Sequence, residues 1–279
     1  MRHAIFSIFF LVSLIASVPA ADEPAILKKG CCMGGADAER TEKRIKSLNV
    51  GWHYNWTASW KGRDIKGVPF VPMIFKNDQW TAGSLDKVKV AKSKMGSSPL
   101  LGFNEPDGKA QANMTVEQAL KFWPELEKTN RRLGSPATVH PDNEWMKAFM
   151  KGADEKGLRV DFVCVHWYGQ LDAEKFIERM REIHELYDKP IWITEFAIAD
   201  WSAKSLRENK YTDRDVLKFM EDVLPELEKL EFVERYAWFD AKADDPKLGR
   251  SALFDKAGEL TELGRFYADF KSGVVRAKR

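Results

Sequence analysis

Pro99-Leu-Leu-Gly-Phe-Asn-Glu-Pro106 and Pro190-Ile-Trp-Ile-Thr-Glu-Phe196 are built alike. Each is an apolar run of strand length that opens on Pro and finishes on a Glu. Neither alternates apolar with polar, as a strand with one wet face does. A nearly continuous apolar run marks a strand buried on both faces, the habit of parallel sheets. Six more runs share this character: Ala25–Met33, Asn49–Trp56, Pro69–Phe75, Leu133–Ala137, Asp161–Tyr168 and Arg235–Asp240.

Amphipathic stretches separate most of these runs. Thr115-Val-Glu-Gln118 has the form of a capping box, with Val116, Ala119, Leu120, Trp123 and Leu126 along one face. Asp172 leads into Phe176, Ile177, Met180, Ile183 and Tyr187. Thr212-Asp-Arg-Asp215 precedes Val216, Met220, Val223, Leu224 and Leu227. Further helices are expected over Asp37–Leu48, around Leu85, Val88, Ala91 and Met95, and over Thr261–Phe270. Thr57–Val68 is the exception and is expected to be a loop or a poor short helix. Eight strands alternating with seven or eight helices predict an α/β fold, a single (β/α)8 barrel of the TIM type. The competing architecture is a doubly wound sheet. That fold usually carries a Gly-rich phosphate turn after its first strand, and Gly30-Cys-Cys-Met-Gly34-Gly35 does not supply one.

The whole composition narrows the function. Forty-four basic side chains face 42 acidic ones, a net charge of +2, which leaves too little field for phosphate-driven nucleic-acid binding. Ten Trp are unusual, and flat indole faces suit sugar rings as well as cores. Residues 1–20 begin with Arg2 and His3, continue as an apolar run and end in Ser17-Val-Pro-Ala20. That is the pattern of a secretory signal peptide, too short for a comfortable membrane span. Residues 21–279 then form the mature domain, secreted to the extracellular space or periplasm. Only three Cys are present, so this is no disulfide scaffold, and Cys31-Cys32 is expected to be a pair of small buried side chains. No Cys/His cluster has zinc spacing. Neither a metal nor a cofactor is expected.

In a barrel the chemistry sits where strands end. Glu105 and Glu195 end the fourth and seventh runs, 90 residues or three βα units apart. Strands four and seven face each other across a closed barrel mouth. Two carboxyls meeting there are what glycoside hydrolysis requires: one protonates the leaving oxygen, the other attacks or stabilises the anomeric carbon. Other strand ends add candidates for sugar contact: Asn104 beside Glu105, Trp56 at run two, His166, Trp167 and Tyr168 at run six, and Trp238 at run eight. Core packing competes with ligand stacking for each aromatic. Asp107 and Asp200, just beyond the two catalytic strand ends, suit loop or cap roles.

These motifs together resemble glycoside hydrolase family 128. The resemblance is carried by Gly102-Phe-Asn-Glu-Pro-Asp107, Gly134-Ser-Pro-Ala137, Asp161-Phe-Val163 with His166-Trp-Tyr168, Trp192-Ile-Thr-Glu-Phe196 and Arg235-Tyr-Ala-Trp-Phe239. It spans about residues 27–270. It implies a retaining endo-β-1,3-glucanase with Glu105 as acid/base and Glu195 as nucleophile. The expected partner is a β-glucan polysaccharide or oligosaccharide, with no membrane or nucleic-acid partner, and the chain is expected to be a monomer. Two alternatives stay open: hydrolysis of another β-glycan, and a β-1,3-glucan-binding protein with weak turnover.

Overall fold

The computed structural model describes residues 26–35, 37–76 and 98–275. The expected signal peptide and the helix around Leu85 to Met95 lie outside the described residues. The strands are β1 (Ile26–Leu27), β2 (Lys29–Cys32), β3 (His53–Tyr54), β4 (Val163–Gly169), β5 (Ile191–Ile198), β6 (Val233–Phe239) and β7 (Val274–Val275). Five of them form a parallel sheet in the order β3-β2-β6-β5-β4. Parallel bridges close the gap between its edges: His53 to Phe70, Met73 to Leu101, Leu100 to Leu133, Asn104 to Ala137, and Gly134 to Phe162. The ring thus passes through all eight predicted runs in sequence order and returns to the first. This is the closed (β/α)8 barrel; β1 and β7 pair antiparallel outside it.

Helices follow where side-chain caps open them. Asp37 caps Ala38–Ser47, Asp172 caps Ala173–Tyr187, and Thr261 caps Glu262–Asp269. Thr115 and Thr212 form complete capping boxes for Val116–Glu127 and Asp213–Lys229. Each cap satisfies amide groups that a helix start leaves open. The helix Glu144–Glu155, capped by Asn143, was not among those expected from the pattern. Its buried residues are few: Met146, Phe149 and Ala153.

Strand parity sorts the core. Cys32, Trp52, Tyr54, Leu101, Phe162, Cys164, Trp192 and Ala237 fill the barrel interior. Val163, Val165, Ile191, Ile193, Tyr236 and Trp238 point outward against the helices. Phe162 stacks on Trp192 at 4.2 Å, and the Arg235 guanidinium lies 4.1 Å from the centre of the Trp192 ring. A buried Trp removes roughly 200 Å² from water, worth roughly 5 kcal/mol before entropy is counted. This plug fixes the lower barrel and leaves the upper end open. Lys29 ties the chain ends to it: its Nζ donates to Tyr267 O, Ala268 O and Phe270 O at the end of the last helix. The three thiols are free and buried, as small core side chains. Among the described residues no helix is long and apolar enough to cross a membrane.

Candidate active site

Two backbone distortions build the site. The first lies in β5. Val165 pairs with Ile193, and the next residue of β4, His166, pairs with Glu195, so β5 carries one extra residue. Strict alternation would send Glu195 outward with Ile193 and bring Phe196 inward. The bulge reverses both. Phe196 packs outside against Phe176 and Trp238, and Glu195 turns into the mouth. The second distortion is at Glu105, whose φ is +41°. Six non-glycine residues have positive φ among those described, and four are Asn or Asp, which tolerate it. The other two are Glu105 and Trp56, both in the site. Such a conformation costs about 1–3 kcal/mol and persists when its surroundings enforce it. Here Glu105 N donates to Ala137 O at 2.7 Å, Gly108 N donates to Glu105 O, and Met114 N donates to Pro106 O.

Glu195 accepts three hydrogen bonds. Trp56 Nε1 donates to Oε1 at 2.6 Å and Tyr54 Oη to the same oxygen at 3.1 Å. The Tyr168 hydroxyl donates to Oε2. Glu105 has a different setting: His166 Nδ1 lies 3.0 Å from its Oε1. The same imidazole turns Nε2 toward Glu195 Oε1 at 3.3 Å. That second contact is close enough for charge attraction, yet it lies off the hydrogen-bond line, and Nε2 has no hydrogen-bond partner among the described residues. His166 therefore stands between the two carboxyls. One ligand-type atom each from Glu105, His166 and Glu195 fall within 4.8 Å of one another.

The electrostatics follow from burial and from Glu195. Burial alone would lower the His166 pKa, but the Glu195 charge and the Glu105 hydrogen bond and charge outweigh it, and the net shift is upward. Burial and then the Glu195 charge push the Tyr54 and Tyr168 hydroxyls well above their usual range. Both stay protonated and act as donors.

A cleft of about 1110 Å³ opens over this cluster. Of the residues picked out from sequence, Asn104, Glu105, His166, Trp167, Tyr168, Glu195 and Trp56 border it. Trp238 does not. It is fully buried, with its indole N–H on Ser251 O and its ring against Phe196 and Phe219. Its place as a sugar contact is corrected by parity: Trp238 and Phe239 are neighbours on one strand, so only one faces the mouth, and that one is Phe239. Trp167 has the same outward parity. Its ring stacks on Phe219, and it reaches the cleft only as part of the wall. Asp107 accepts from Val139 N and Asn143 Nδ2, and Asp200 accepts from Ser202 and Lys210 N. Both hold loops, as expected.

Sequence reasoning missed Tyr54, Gln111, Trp201 and Phe239 as site residues. Tyr54 had a signal, since it shares the second run with Trp56. Trp201 is 57% exposed at the rim, edge-on to Tyr168. Gln111 reaches Asn104 from a loop whose course no local pattern announces.

Comparison with known proteins agrees with this geometry. The family model described as glycosyl hydrolase catalytic core matches residues 30–267. A GH128 subgroup I endo-β-1,3-glucanase from Amycolatopsis mediterranei, a variant in complex with laminaripentaose, is 32% identical. Its TM-score is 0.76, covering 87% of this chain and 99% of that one. A subgroup III curdlan-specific exo-β-1,3-glucanase from Blastomyces gilchristii, in complex with glucose, is 26% identical at TM-score 0.67, covering 87% and 98%. Alkali-sensitive linkage protein 1 of Schizosaccharomyces pombe is 28% identical over 228 residues, 78% of this chain. The chain spans 40% of the length of that curated relative.

Proposed function

The chain belongs to the glycosyl hydrolase catalytic core family and to glycoside hydrolase family 128, and on that premise we propose that it is a secreted, retaining endo-β-1,3-glucanase. The observation that carries this is the approach of one carboxylate oxygen of Glu105 and one of Glu195, on the fourth and seventh strands of the ring, to within 4.8 Å. Retaining hydrolases hold their carboxyls about 5–5.5 Å apart, and inverting ones leave about 6.5–9.5 Å for a water. The short separation favours direct attack.

Glu195 is the nucleophile of this scheme. Three donors orient its carboxylate, and the bulge aims it at the barrel axis. Glu105 protonates the glycosidic oxygen as the C–O bond breaks, and Glu195 forms an ester with the anomeric carbon. Glu105 then takes a proton from water, the water attacks the anomeric carbon, and Glu195 departs as carboxylate. His166 positions both groups through its two ring nitrogens. Asn104 is almost wholly buried, and its Oδ1 has no hydrogen-bond partner among the described residues. That suits a contact to a sugar hydroxyl. The exposed face of Trp56 and the rim ring of Trp201 supply surface for further sugar units.

Export rests on the character of residues 1–20, and N-terminal sequencing of the exported protein should start at Ala21. A panel of β-1,3-glucan, β-1,4-glucan and β-mannan with reducing-end detection tests the substrate. New ends on β-1,3-glucan with mixed oligosaccharide products are expected. Glucose as sole product would mean exo action. Binding without new ends would mean a glucan-binding protein.

A further inference from the structure

We propose that Glu105, His166 and Glu195 form a binding site for one late first-row divalent cation, with Zn²⁺ as the type ion, and that its occupancy reversibly shuts the enzyme. The proposal rests on the catalytic assignment above for the shutdown, but not for the binding.

The geometry points this way on four counts. The donor set is one imidazole nitrogen and two carboxylate oxygens, brought within 4.8 Å of one another from three different strands. Zn²⁺ bonds of about 2.0–2.2 Å set neighbouring ligand atoms about 3.3 Å apart in a tetrahedron. The His166 Nε2 to Glu195 Oε1 distance is 3.3 Å, so the imidazole and that carboxylate already stand at this spacing. Glu105, whose side chain is the most accessible of the three, supplies the third corner by exchanging its contact with His166 Nδ1 for the metal. Second, His166 is almost wholly buried, and its Nε2 points into the cluster with no hydrogen-bond partner among the described residues. A buried polar atom in that state calls for a partner such as an ion or a water. Third, a carboxylate has about four lone-pair positions: Glu195 Oε1 already accepts from Trp56 and Tyr54 and Oε2 from Tyr168, so the position left for a metal is on Oε2. Fourth, two carboxylates match a double positive charge, and the cleft gives the ion a path in.

The imidazole decides which ion. Mg²⁺ and Ca²⁺ take oxygen ligands and keep water or high coordination, whereas imidazole with carboxylate suits Zn²⁺, Cu²⁺ and Co²⁺. Three protein ligands leave the fourth position open to water. Because the ligands are the acid/base and the nucleophile, a bound ion ties up both lone pairs that the reaction needs.

The test uses the full chain with ZnCl₂ alone, in buffer free of phosphate and chelator. Isothermal titration calorimetry should show one Zn²⁺ per chain, and CoCl₂ should give visible d–d absorption. Zn²⁺ should inhibit competitively with laminari-oligosaccharide and be reversed by a chelator, while MgCl₂ has no effect. Glu105→Gln, Glu195→Gln and His166→Asn should each weaken Zn²⁺ binding at least about tenfold. Circular-dichroism melting of each variant checks that it is folded, and a variant that does not fold leaves two others to decide. Absence of binding in the parent protein, or unchanged affinity in the folded variants, overturns the proposal. Calorimetry reads binding with no turnover, so a failed glucanase assay and a failed metal site give separate results.

Discussion

Tyr54→Phe removes one hydroxyl from a fully buried ring and changes nothing else in shape. That hydroxyl lies 3.1 Å from Glu195 Oε1 and 3.1 Å from Thr194 O. A hydrogen bond to a charged acceptor contributes about 1.5–3 kcal/mol. One proton serves two acceptors here, so the lower end applies, about 1.5 kcal/mol, or roughly tenfold in rate. On the retaining path proposed above, the history of Glu195 decides which step bears the loss. There Glu195 is a carboxylate in the free enzyme, an ester in the intermediate, and a carboxylate again as it leaves. The hydroxyl helps Glu195 most as a departing group, so deglycosylation should slow about tenfold. In the first step Glu195 loses charge at the transition state, and the same bond assists less. With an activated aryl laminari-oligosaccharide, stopped-flow should show a burst of aryl alcohol. The steady-state kcat should fall about tenfold, KM should fall with it, and kcat/KM should change little. Buried surroundings keep water from replacing the hydroxyl. An unchanged kcat, or a tenfold loss confined to kcat/KM with no burst, would refute the reasoning.

Carboxyl roles are separable by azide: Glu105→Ala should release a β-glycosyl azide and Glu195→Ala the α product, and the opposite stereochemistry would exchange the assignments. Trp56→Ala should weaken oligosaccharide binding by about 1–3 kcal/mol, in line with other stacked rings. Trp238→Ala should instead cost about 3–5 kcal/mol of folding stability, seen in urea denaturation, with ligand affinity unchanged in the protein that remains folded. Burial holds the His53 pKa down to about 4 from 6.5. The unfolded chain therefore gains a proton between pH 6.5 and 4 that the folded chain does not, so stability present above pH 6.5 falls by about 3 kcal/mol as the pH drops through 4. His53→Leu should flatten that acid limb in melts recorded from pH 7 to 4, and an unchanged limb would place the acid sensitivity elsewhere.

Most of the barrel was legible because its signals are local. Apolar runs bounded by Pro, and Thr115, Asp172 or Thr212 ahead of amphipathic stretches, report on the residues within one turn or one strand. The helix Glu144–Glu155 escaped notice because three buried contacts make too thin a stripe to stand out. Trp238 was misplaced for a reason also contained in the sequence. Period-two parity allows only one of Trp238 and Phe239 into the mouth, but it does not say which until the phase of the strand is known, and neighbouring strands set that phase.

The two carboxylates were identifiable from sequence alone, since a Glu at the end of a doubly buried strand has no packing reason to be there. What sequence could not supply was their aim. Counting along Ile191 to Phe196 sends Glu195 to the helix side, and only the register of β5 against both β4 and β6 introduces the extra residue that turns it inward. Glu105 likewise takes a left-handed backbone that its residue type disfavours, enforced by a carbonyl of the neighbouring run at Ala137. Composition and periodicity record what each residue prefers by itself. A bulge and a strained φ run against those preferences, and they exist because pairing across the closed barrel outweighs the local cost.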